Sequence, residues 1–156
     1  MRLTEYLEPE LVLTDLEADG AEDAIDTMVR AVHEAGRIDD PESVSRSVLA
    51  RERSHTTSLG NGVALPHATV AGVDRARVLV AIAPEGIDFG PDDRDAEPDR
   101  LFFMLLSPLE EAGTHIKLLA RIVRLARSRR FVETLLAADS AEAVIEEIRR
   151  EDAQHV

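Results

Sequence analysis

The side chains best equipped for chemistry in this sequence are two histidines, and the first has an informative setting. Residues Arg51-Glu52-Arg53-Ser54-His55-Thr56-Thr57-Ser58-Leu59-Gly60-Asn61-Gly62-Val63-Ala64-Leu65-Pro66-His67 read as a helix end, a small polar loop, a short buried strand, and a histidine where that strand stops. Such a position combines rigid support with an exposed tip. Near neutral pH a large share of imidazole is uncharged, and a neutral ring nitrogen can attack phosphorus to give a phosphoramidate. The planar fork of arginine binds phosphoryl oxygens two at a time. Small hydroxyl side chains and backbone N–H groups complete a cradle for the developing charge. His67, with Arg51 upstream, therefore points to histidine-based phosphoryl chemistry.

The elements that must position this segment follow from the apolar pattern. Residues 11–13 and 63–65 form short apolar runs, and 77–83 and 101–106 form longer ones. Continuous runs of this kind suit strands covered on both faces. Ile25, Met28, Val29 and Val32 share one helical face within 21–35, with Gly36 as a stop. Asp40-Pro41 opens a second helix, lined by Val44, Val48 and Leu49, that ends near 51–53. Residues 84–100, rich in proline, glycine and aspartate, read as loop. Thr114 is placed to cap a helix carrying Ile116, Leu119, Ile122 and Val123. A shorter helix carries Phe131, Val132, Leu135 and Leu136, and Asp139 with Glu142 reads as a capping box for a last one. This order predicts an α/β fold of the α+β type, a small mixed β-sheet flanked by helices on both faces. One domain is expected over residues 1–150, with 151–156, including His155, as a mobile C-terminal tail.

Composition narrows the function. There is no cysteine, which excludes disulfides, thiolate catalysis and Cys-based zinc sites within these residues. Eighteen basic residues against 31 acidic ones give a net charge of −13, a field that repels nucleic acid and anionic membranes. Acidic residues run throughout the chain, as on the solvated surface of a halophilic protein. Met1-Arg2-Leu3-Thr4-Glu5 carries no signal-peptide core, and no apolar stretch reaches spanning length. The expectation is a cytoplasmic protein without direct membrane insertion.

The motif residues taken together resemble a family. Arg51-Glu52, Thr57, Leu59-Gly60 and Val63-Ala64-Leu65-Pro66-His67 resemble the phosphorylation-site region of the fructose/mannitol-type enzyme IIA domains of the phosphoenolpyruvate-dependent sugar phosphotransferase system. The likeness continues through Pro84-Glu85-Gly86-Ile87-Asp88-Phe89, through residues 101–108, and through Gly113-Thr114-His115-Ile116-Lys117-Leu118-Leu119. The resemblance implies that His67 is phosphorylated at Nε2. It makes Arg51 the arginine that approaches the phosphoryl group, His115 a supporting neighbour of His67, and Thr57 a residue lining the site. It implies the phosphocarrier protein HPr as donor and an enzyme IIB cysteine as acceptor, with an apolar rim around His67 docking both. Because this sequence has no cysteine, the acceptor is expected on a separate polypeptide. No metal or organic cofactor is called for.

Other readings are carried alongside. A regulatory IIA-like protein, whose phosphorylation state controls other proteins, needs the same chemistry at His67. A phosphohistidine hydrolase is disfavoured by the lack of an Arg-His-Gly motif and of a general acid. A zinc site from His67, His115 and a carboxylate lacks supporting ligand spacing. His33 and His55 read as exposed polar positions. Arg127-Ser128-Arg129-Arg130 reads as a helix-end charge group.

Overall fold

The computed structural model describes residues 1–89 and 97–155. Among them are five strands and five α-helices. The strands are β1 (Val12–Leu13), β2 (Val63–Ala64), β3 (His67–Thr69), β4 (Arg77–Ile87) and β5 (Asp99–Ser107). They form one mixed sheet in the order β1-β4-β5-β2, with β3 also paired to β5. β4 and β5 are antiparallel, whereas β1 runs parallel to β4, and β2 and β3 run parallel to β5.

The helices cover both faces, as the apolar runs require. α1 (Ala21–Glu34) and α2 (Pro41–Ser54) lie on one side. Ile25, Met28, Val29, Val44 and Val48 pack there with Leu79, Ala81, Phe102, Met104 and Leu106. α3 (Ala112–Ala126), α4 (Arg129–Leu136) and α5 (Ala141–Gln154) lie on the other. Leu118, Ile122, Leu125, Leu135 and Ile148 meet Val78, Val80, Leu101, Phe103 and Leu105 there. β5 thus sends alternate side chains into two separate cores. Each large apolar side chain so buried contributes about 1.5–3 kcal/mol. Truncating Phe102, which is fully buried, would cost about 3–5 kcal/mol.

Several boundaries differ from the sequence reading. The stretch 84–100 is only partly loop: β4 continues through Pro84 to Ile87, and Asp99 already opens β5. The register shifts between Ile82 and Ile87, and a proline is tolerated where the ladder is interrupted and no N–H is required. The part of that loop at residues 90–96 lies outside the described residues. Thr114 does not cap α3, which begins two residues earlier, directly after a 3-10 turn over Leu109–Glu111. α5 is capped by Ser140, not Asp139: its Oγ accepts the Ala143 N–H at 3.1 Å. α5 also runs across the 150/151 boundary to Gln154. Its Asp152 is fully buried, pairing with Arg121 at 2.9 Å and accepting the Thr4 N–H at 3.0 Å.

Candidate functional site

The candidate site is built on the sheet edge. Val63 pairs with Leu101 and His67 with Leu105, four residues further along both strands, so β2 and β3 keep one register along β5. They act as one edge strand interrupted at Leu65-Pro66. Pro66 has no N–H to donate, but its carbonyl still accepts the Leu105 N–H at 3.1 Å. His67 is therefore not a residue beyond the end of a strand. It is where the strand resumes. Val63 and Leu65 belong to the core shared with α3, α4 and α5, and alternation puts His67, two residues on, toward that same face.

On that face, in the first turn of α3, sits His115. The two imidazoles are 5.6 Å apart between centroids with planes tilted by 49°. His115 is nearly buried, and its Nδ1 lies 2.8 Å from the hydroxyl of fully buried Ser107, the last residue of β5. That bond fixes the ring's orientation from the sheet beneath. His67 is held differently: its Nδ1 lies 2.7 Å from the carbonyl oxygen of Leu65. A carbonyl only accepts, so Nδ1 carries the proton and donates. The lone pair of the neutral ring is then at Nε2, pointing away from the supporting strand.

The electrostatics favour the neutral form of both rings. Burial lowers the pKa of His67 below its ordinary value, and the Arg51 charge adds to this. The Leu65 bond and the Glu52 charge oppose it. His115 is lowered by burial, then by His67 and Arg51. Arg51 is exposed on the last turn of α2, where a cation is favoured by the helix dipole. Its charge acts on both histidines.

Thr57 is held by Glu52 and by the strand that carries His67. Its N–H donates to Glu52 Oε2 at 2.8 Å and its hydroxyl donates to Glu52 Oε1. Its carbonyl accepts the Leu65 N–H at 3.1 Å. Thr57 thus braces the loop to the strand, with its hydroxyl taken up by Glu52. The loop folds back on β2, Leu59 N–H donating to the Val63 carbonyl at 2.8 Å. The reversal needs positive φ, which Gly60 and Gly62 supply, each at 83°. At the tip Asn61 Nδ2 donates to the Ala126 carbonyl at 2.9 Å, tying the loop to the end of α3. Beneath it Ser58 Oγ donates to Asp99 Oδ1 at 3.1 Å. Burial pushes the Asp99 carboxyl up to about 6, the Ser58 bond opposing and the Glu52 and Asp88 charges adding.

Glu52 and Ser107 are the site residues that sequence reasoning left without a role. In the sequence Glu52 is half of an Arg-Glu pair, and Ser107 falls just beyond the apolar run 101–106 with no role read for it. The remaining histidines stand apart. His33 Nδ1 bonds to the Ile38 carbonyl at 3.1 Å, His55 caps α2, and His155 pairs with Glu151 at 3.2 Å. Arg127 and Arg129 flank the α3–α4 junction, where Ser128 caps α4. Among the described residues no three His, Asp or Glu side chains are grouped to hold a metal ion, and no helix is long and apolar enough to cross a membrane. The exposed large apolar side chains among the described residues include Leu59, Leu109 and Ile116.

Comparison with known proteins gives a consistent result. The family model described as "Phosphoenolpyruvate-dependent sugar phosphotransferase system, EIIA 2" matches residues 5–151. The fructose-specific EIIA component of Haloferax volcanii is 35% identical over 123 residues, 79% of each chain. The fructose-specific EIIABC component of Bacillus subtilis is 30% identical over 152 residues, which are 97% of this chain but 24% of that protein. This chain therefore spans about a quarter of the length of the Bacillus relative. Among solved structures, the nitrogen regulatory protein IIA-Ntr of Neisseria meningitidis superposes with a TM-score of 0.83 at 27% identity, covering 94% of this chain and 98% of that one.

Proposed function

This chain belongs to the EIIA 2 family of the phosphoenolpyruvate-dependent sugar phosphotransferase system, and from that premise we propose that His67 is its phosphoryl-carrying residue. The observation that carries the proposal is the 2.7 Å bond from Nδ1 to the Leu65 carbonyl, which leaves the Nε2 lone pair free.

The mechanism follows from that tautomer. Nε2 of His67 attacks the phosphorus of a phosphohistidine on the donor, which we take to be HPr. The new N–P bond forms as the donor's P–N bond breaks, and the broken bond's electron pair returns to the donor ring. The Nδ1 proton stays on His67, held by Leu65. Arg51 binds the equatorial oxygens as charge spreads over them, and His115 supports the phosphoryl group from the α3 side. In the onward step a cysteine thiolate of an enzyme IIB takes the group by the reverse displacement. These residues contain no cysteine, so that sulfur lies outside them. The chemistry uses no organic cofactor and no metal, and suits a cytoplasmic setting. The name of the Haloferax relative makes fructose the sugar of first choice.

Incubation with phospho-HPr tests the reading. The wild-type protein should become labelled and His67→Ala should not. Labelling of the alanine variant would refute it. The likeness to IIA-Ntr supports a second reading in which the same phosphohistidine serves regulation. Transfer from the labelled protein to an IIB partner supports the transport role, whereas a labelled protein that no IIB discharges supports the regulatory one.

A further inference from the structure

We propose that Glu52 is a positioning residue for His67, acting through a hydrogen-bonded chain that runs Glu52, Thr57, Leu65, His67. The proposal rests on the reading of His67 as the phosphoryl acceptor.

The chain is continuous. Both oxygens of the Glu52 carboxylate are engaged by one residue, Thr57, through its N–H at 2.8 Å and its hydroxyl. The carbonyl of Thr57 takes the Leu65 N–H at 3.1 Å. The carbonyl of Leu65 takes the Nδ1 proton of His67 at 2.7 Å. Thr57 and Leu65 are thus each fixed at both backbone polar groups, and the last link holds the nucleophile in the required tautomer. Pro66 accounts for why the support must come from outside. Having no N–H, it leaves the Leu65–His67 stretch one ladder bond short, and the Thr57 bond to Leu65 compensates on the other side of the strand.

Glu52 is an unusual residue for a mere loop staple. It is 8% exposed on the last turn of α2, flanked by Arg51 and Arg53, yet among the described residues it makes no ion pair. A carboxylate buried without a cation is costly unless hydrogen bonds offset its lost hydration, as the two from Thr57 do here. Arg51 and Glu52 are adjacent on the last turn of α2, Arg51 exposed and Glu52 buried. Arg51 is thereby available to the phosphoryl oxygens, while Glu52 supports the ring from behind. The charged and titratable groups that act on His67 are Arg51 and Glu52 from α2, with His115 facing it from α3. Glu52 is the one that favours proton binding on the ring, and so favours basicity at Nε2 against burial and Arg51.

The test uses the full chain with Glu52→Gln and Thr57→Val. Glu52→Gln keeps the shape and removes the charge. Thr57→Val keeps the backbone bonds and removes the hydroxyl. Ring-nitrogen NMR reads the His67 tautomer and titration midpoint without any phosphoryl transfer. Labelling by phospho-HPr reads the rate. Glu52→Gln should move the midpoint to lower pH, admit the Nε2–H tautomer, and slow uptake about tenfold, the equivalent of one charge-assisted hydrogen bond. Thr57→Val should shift the same readouts less. A folded Glu52→Gln protein with wild-type tautomer and midpoint overturns the proposal, even if uptake is slowed, because Glu52 would then only hold the loop. If Glu52→Gln does not fold, wild-type values in Thr57→Val overturn it instead. A wild-type protein that takes no label at His67 sinks the functional reading alone, since the ring readouts stand apart from transfer.

Discussion

The imidazoles of His67 and His115 face each other with centroids 5.6 Å apart, one anchored by a backbone carbonyl and the other by the hydroxyl of Ser107. Two rings this close and this poorly hydrated resist gaining a proton, and His67 itself contributes to the lowering at His115. The proposed nucleophile and its neighbour are thereby biased to the neutral form under conditions where free histidine is partly charged.

The first prediction concerns pH. Both histidines have folded-state pKa values below the unfolded value of 6.5, so the unfolded chain binds more protons in the window beneath it. The sign of the linkage makes their stability contribution full above 6.5 and lost as pH falls through that window. Phosphoryl uptake should likewise persist as pH drops through 6.5 and decline only below it. A rate profile whose acid limb has its midpoint at or above 6.5 would contradict the site as described.

Arg51→Lys keeps the charge but not the fork. If Arg51 binds the phosphoryl oxygens bidentately, uptake from phospho-HPr should slow by roughly one to two orders of magnitude with little change in melting temperature. A single-turnover rate equal to wild type removes Arg51 from the mechanism.

Asp99 offers a stability prediction of opposite sign. Its folded-state value, raised from 3.8 to about 6 chiefly by burial, means that ionisation opposes folding. The favourable contribution is full below 3.8 and lost as pH rises through about 6. Asp99→Asn retains an acceptor for the Ser58 hydroxyl and should stabilise the protein by roughly 1–3 kcal/mol at neutral pH. The gain should vanish near the unfolded carboxyl value, and denaturant titrations at both pH values check this.

The Arg121–Asp152 pair separates stability from chemistry. Asp152 is fully buried, and its truncation leaves the Thr4 N–H without its acceptor and the Arg121 guanidinium without its carboxylate, held only by the Asp152 and His155 carbonyls. Asp152→Ala should cost about 3–5 kcal/mol. Residual folded protein should still take up phosphate at the wild-type rate. A specific loss of transfer in the folded fraction would show that α5 bears on the site.

How much of this was legible beforehand varies by element. The helical stripes of α1 and α2 were legible because burial of one face imposes a 3.6-residue period that survives in sequence. β4 and β5 were legible as apolar runs because both faces are covered. β3 was not: three residues, the first half-exposed and the last exposed, hold their conformation only by pairing with β5, and a proline precedes them. The end of β4 was hidden because Pro84 reads locally as a breaker, while its tolerance depends on a register shift made with another strand. Asp152 looked like a frayed end because its partners are 31 and 148 residues away in sequence.

For the site, sequence alone determined the chemical types. His67, His115 and Arg51 stand out as candidates because the proposed phosphoryl chemistry restricts which side chains serve, and because the motif resemblance carries them. Tertiary structure decided the arrangement: which ring nitrogen is free, that the two rings meet, that the Thr57 hydroxyl is taken by Glu52, and that Ser107 orients His115. Those facts depend on distances between segments that only the folded sheet brings together, and a one-dimensional pattern carries no term for them.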